Sequence, residues 1–113
     1  MENFNSTDTT GTVEWTGRSG ERYALRPAVP ADLHVAEGTI CILTAMTEAG
    51  EAVVWSGTAQ ALIADASSRS LLRAALPRAA AAYFMPAPRD EIDLMTILWD
   101  LDSARRPAAR NAA

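Results

Sequence analysis

Val53-Val54-Trp55-Ser56-Gly57-Thr58-Ala59 is a β-branched and aromatic run that halts at a glycine and opens onto an Ala/Leu-rich segment. β-Branched and aromatic side chains fit a pleated, half-buried surface, so the run reads as a strand. Alanine and leucine lose little freedom in a helix, so the segment after Gly57 reads as helical. The junction divides the chain, with strand patterns before it and most of the helical ones after it.

Just upstream, Thr39-Ile40-Cys41-Ile42-Leu43 is apolar without alternation. That pattern suits a central strand covered on both faces. Glu48-Ala49-Gly50-Glu51 is a turn joining it to residues 52–55, which makes a hairpin. The connector 31–38 holds the single histidine, His34. Earlier, Val13 and Trp15 alternate within residues 12–16, and Tyr23 and Leu25 within residues 21–25. Gly17-Arg18-Ser19-Gly20 is the turn between them, giving another hairpin. Pro27 and Pro30, which cannot donate backbone bonds, are expected to end strand pairing.

Downstream, Leu62 and Ile63 supply an apolar helix face. Ser67-Ser68 interrupts it, with Ser68 as cap of a second piece carrying Leu71, Leu72, Ala75 and Leu76 and ending near Pro77. Residues 80–85 read as a strand before Pro86-Ala87-Pro88. Asp90 opens the clearest helix, because Asp90, Glu91 and Asp93 suit a positive helix N-terminus. Ile92, Met95 and Trp99 share one face of it, flanked by Leu94, Leu98 and Leu101, and Arg105 and Arg106 suit its C-terminal end. The expectation is a single α+β domain over residues 12–104, between flexible segments 1–11 and 105–113. It has a small mixed or antiparallel sheet of two hairpins plus one strand, with two or three helices packed on it.

A chain of 113 residues with 49% hydrophobic and 21% charged residues is ordinary globular composition, enough for one modest core. The net charge of −4 argues against indiscriminate nucleic-acid binding, which needs a Lys/Arg excess on one face. A single cysteine, Cys41, excludes an internal disulfide and a cysteine metal cluster. The opening residues lack a basic region and an apolar core, and no run nears the ~18 apolar residues of a membrane span. The default expectation is a soluble, cytoplasmic, bacterial protein with no cofactor, no metal and no membrane contact.

The order hairpin, hairpin, helix, strand, helix resembles a degenerate GIY-YIG nuclease domain over residues 12 to 111. Thr39-Ile40-Cys41-Ile42-Leu43 falls where the first name-giving tripeptide belongs, with Cys41 in the tyrosine place. Trp55-Ser56-Gly57 falls at the second, with the glycine kept and tryptophan for tyrosine. Trp15 to Tyr23 is similar to a leader hairpin of some members, and Trp99-Asp100-Leu101 through Pro107 to Asn111 to the closing segment. The resemblance implies tyrosines, an arginine on the first helix and a metal-binding glutamate on a later one. The arginine place is Asp65, with Arg69 about a turn further on, and the glutamate place is Leu98, with Glu91 and Asp93 earlier on that helix. Cleavage of a phosphodiester draws several kcal/mol from a bound metal and more from an arginine clamp. An acid and a leucine supply neither, so the expectation is a domain without nuclease activity.

If the chain were active, Tyr23, Trp55, Arg69 and Glu91 would be the catalytic candidates. Trp55, Arg69, Arg73 and Arg78 are the binding candidates. Arg69 and Arg73 lie four apart on one helix face, where a solvated surface is the simpler reading. Trp15, Trp55 and Trp99 are most economically core residues, and any that is exposed would be an interface anchor. Cys41 reads as a buried thiol and His34 as a loop residue. Three functions fit these residues: a non-catalytic domain binding a protein or itself, a divergent metal-dependent DNA endonuclease, or a structural module. For the last, the stretch 51–59 resembles a strand of small envelope-lipoprotein domains, which would need a lipid-attachment leader.

Overall fold

The computed structural model describes residues 11–107. The expectations of flexibility at 1–10 and 108–113 lie outside the described residues. The strands are β1 (Val13–Thr16), β2 (Arg22–Ala28), β3 (Thr39–Thr47), β4 (Gly50–Thr58), β5 (Ala81–Pro86) and β6 (Arg105–Pro107). The helices are α1 (Ala59–Ala64), α2 (Ala66–Ala75) and α3 (Glu91–Asp102), with 3-10 turns at Pro30–Asp32 and Leu76–Arg78. The fold is α+β, as the patterns require, and every strand pair is antiparallel. The strand order is β1-β2-β5-β3-β4-β6, and β6 pairs back onto β1, so the curled sheet closes on itself.

β3 lies between β4 and β5 and is buried over residues 40–44. Its side chains alternate between two cores. Ile40 and Ile42 join Trp15, Leu25 and Tyr83, and α3 packs Leu94, Ile97, Leu98 and Leu101 onto that side. Cys41 and Leu43 join Trp55 and Ala82 on the other side, beneath Leu62 of α1 and Leu72 of α2. Hence β3 shows no alternation in sequence: both its faces are dry. A bulge between Leu43 and Thr44 places Val54 and Trp55, neighbours in sequence, in the same core. An extra residue in one strand breaks the period of two in this way.

Gly57 sits opposite Cys41. A β-carbon there would lie 2.8 Å from Cζ2 and 2.9 Å from Cη2 of Trp55. The tryptophan ring therefore lies across Gly57, two residues along the same strand face. The strand continues one residue past Gly57, and Thr58 caps α1 by accepting from Ala61 N at 3.2 Å.

Several expectations are corrected. Pro27 does not end β2: it lies opposite Tyr83 of β5, beyond the 22–25 segment that pairs with β1. The strand is paired on one side only there, so a missing donor is tolerated. The cap of α2 is Asp65, which accepts from Ser67 N at 3.2 Å, and Ser68 bonds to the same carboxylate. Ile63 does not face the core and is 76% exposed. Arg105–Pro107 is not tail but the closing strand. The largest correction concerns Trp99 of α3, expected in the core and instead 55% exposed. The core face of α3 is Leu94, Ile97, Leu98 and Leu101, while Ile92, Met95 and Trp99 face outward.

Candidate functional site

The densest polar cluster joins the β1–β2 turn to the C-terminal end of α3. Asp100 is only 3% exposed, and its carboxylate accepts from Ser19 N at 2.6 Å, Ser19 Oγ at 2.7 Å and the Tyr23 hydroxyl at 2.6 Å. The Arg18 N–H donates to the Asp100 carbonyl at 3.0 Å. Gly17 makes room, since a β-carbon there would fall 2.5–2.7 Å from the carboxylate atoms. The Arg18 guanidinium lies 4.3 Å from the centroid of the Trp99 ring and donates to Ser103 Oγ at 2.6 Å.

Burial pushes the Asp100 carboxyl upward in pKa. The Tyr23 hydroxyl, the two Ser19 donors and the charge of Arg18 outweigh burial, and the net shift is downward. Burial, with the same hydrogen bond and the negative charge of Asp100, drives Tyr23 well above its ordinary value. Asp100 is thus an anion with three of its acceptor positions filled by the protein, and Tyr23 is a held phenol. Chemically the cluster is a clasp: its groups are hydrogen-bonded to one another.

Sequence reading missed Asp100 because its partners lie 77 to 81 positions away. One signal was present. An acid in the last turn of a helix opposes the macrodipole, so it points to donors elsewhere in the fold.

The four catalytic candidates do not converge. Tyr23 is bound to Asp100, nine residues along α3 from Glu91, which is roughly 13 Å of helix rise. Trp55 is buried in the core on the opposite side of the sheet from Tyr23. Arg69 donates to the carbonyls of Leu62 at 2.7 Å and Ile63 at 3.1 Å, closing the last turn of α1. Arg73 and Arg78 are exposed, in the last turn of α2 and in the 3-10 turn after it. The binding set therefore splits, with Trp55 inside and the arginines outside. Burial lifts the Cys41 thiol to about 12, which removes its thiolate at neutral pH.

An open cleft of about 700 Å³ runs between the start of β3, the β4–α1 junction and the start of α3. Glu37, Gln60, Arg89 and Glu91 stand around it. No group of three or more His, Cys, Asp or Glu suited to a metal occurs among the described residues. No described helix is long and apolar enough to cross a membrane.

Among the described residues, α3 carries more exposed large hydrophobic side chains than any other element. Ile92 is 73% exposed, Met95 65% and Trp99 55%. Thr96 lies among them and donates its hydroxyl back to the Ile92 carbonyl at 2.8 Å, so its hydrogen-bonding proton is spent within the helix. No family model, curated protein or solved structure matches this chain.

Proposed function

We propose that this chain is a non-catalytic domain that keeps a nuclease-like frame and acts by binding protein. The observation that carries the reading is a contrast. The polar groups a nuclease would need are apart or engaged, while the most exposed large apolar side chains of α3 form one continuous face. Phosphoryl transfer depends on positioned charge around one reacting atom. Tyr23 is committed to Asp100 and Arg69 to the carbonyls of Leu62 and Ile63. Support for the frame is the element order, in which the hairpin β3–β4 is followed by helices, then β5, then α3.

A second reading, a divergent metal-dependent nuclease, draws on the cleft where Arg89 and Glu91 stand together. Plasmid nicking with Mg²⁺ or Mn²⁺ separates the two. The expected result is intact supercoiled DNA. Metal-dependent cleavage that disappears in Arg69→Ala or Arg89→Ala would overturn the non-catalytic reading.

A further inference from the structure

We propose that the outer face of α3 pairs with the same face of a second copy of this chain, the two helices running antiparallel. The inference rests on the interaction reading above and names its partner.

Ile92, Met95 and Trp99 are spaced three and four apart, which keeps them on one stripe of the helix. The stripe lies opposite the core-facing Leu94, Leu98 and Leu101, so α3 is apolar on two sides. A helix apolar all round is normally covered on both sides. The exposed part of the three side chains amounts to on the order of 400 Å², comparable to the largest apolar patch of a typical monomer, which is often a functional surface. A standard interface needs roughly 800 Å² from each partner, so this surface alone supports a weak, concentration-dependent dimer.

Charge selects the direction. Arg18 stacks on Trp99 at the C-terminal end of the stripe, while Glu91 and Asp93 flank its N-terminal end. Antiparallel pairing sets each Arg18 beside the partner's acidic first turn, and does so twice by symmetry. Parallel pairing would bring Arg18 against Arg18 and acid against acid. Asp102 at one end and Arg89 at the other temper the contrast without reversing it.

The axis of an antiparallel pair centred on the stripe passes between Met95 and Thr96. Each Met95 is then offset from its symmetry mate by about 1.5 Å along the helices, and each Ile92 by about 10 Å. Disulfides form only when the α-carbons come within about 7 Å. The test is therefore sedimentation of the full chain from about 10 µM to 1 mM, with oxidative cross-linking of Met95→Cys and Ile92→Cys. Cys41 is buried and does not compete. The expected outcome is a dimer appearing in the upper part of that range, weakened at least about tenfold by Met95→Asp, with cross-linking of Met95→Cys and not of Ile92→Cys. A monomer at 1 mM, or equal cross-linking of the two variants, overturns the proposal. Neither result bears on nicking activity, which judges the non-catalytic reading separately.

Discussion

Replacing Asp100 should be the most damaging single change at the turn–helix junction. Asp100→Ala removes an acceptor that is 3% exposed and holds three hydrogen bonds of 2.6–2.7 Å. The Ser19 N–H and hydroxyl and the Tyr23 hydroxyl lose their partner together. A donor orphaned in the interior costs about 1–3 kcal/mol, and bonds to a charged acceptor lie toward the top of that range. Ser19 is near the surface, so water recovers part of the loss there, and the three terms do not add fully. We expect a net loss of about 3 kcal/mol. For a domain of this size that lowers Tm by roughly 10–20 °C.

Asp100→Asn should lose less, about 1–2 kcal/mol, because its carbonyl still accepts from Ser19 N while its amide faces hydroxyls that can turn to accept. Circular-dichroism melts at pH 7 measure both. The pH dependence adds a second check. The folded pKa of Asp100 is lowered, so its contribution is fully present above the unfolded value near ~4 and fades as pH falls through the folded one. Asp100→Asn should flatten that acid limb. The reasoning is refuted if Asp100→Ala melts within about 2 °C of the parent, or if a cycle of Asp100→Asn with Tyr23→Phe shows no coupling.

Gly57→Ala should cost about 1–3 kcal/mol, because the added carbon meets the Trp55 ring at 2.8 Å. In a Trp55→Leu background the same change should be nearly neutral, which denaturant titration would show. The Cys41 thiol, fully buried and raised to about 12, should react with a disulfide reagent at pH 8 only as fast as the chain opens. Labelling within the mixing time without denaturant would contradict its placement.

Local rules made much of this fold readable. Two hairpins emerged from turn residues between strand-like runs. The unalternating stretch 39–43 announced a strand with two dry faces, and β3 indeed divides its side chains between two cores. Asp90 caps α3 as its position suggested, accepting from Ile92 N at 3.0 Å. Single residues misled where a neighbour supplied what they lacked. Pro27 stays in a strand because β1 has already left that edge, and Asp65 caps α2 in a place where the family resemblance implied an arginine.

Hydrophobic periodicity and turn chemistry act over a few residues, and they were enough to specify the α+β class, the first five strands, the helices and the junction near Gly57. Which side of α3 is buried was settled only in three dimensions, because both its stripes are apolar. Chain folding likewise brought Ser19 and Tyr23 to Asp100 across 77 or more positions, and turned Arg105–Pro107 into the closing strand. Contacts of that range leave almost no periodic trace in the chain, since each partner is locally an ordinary residue.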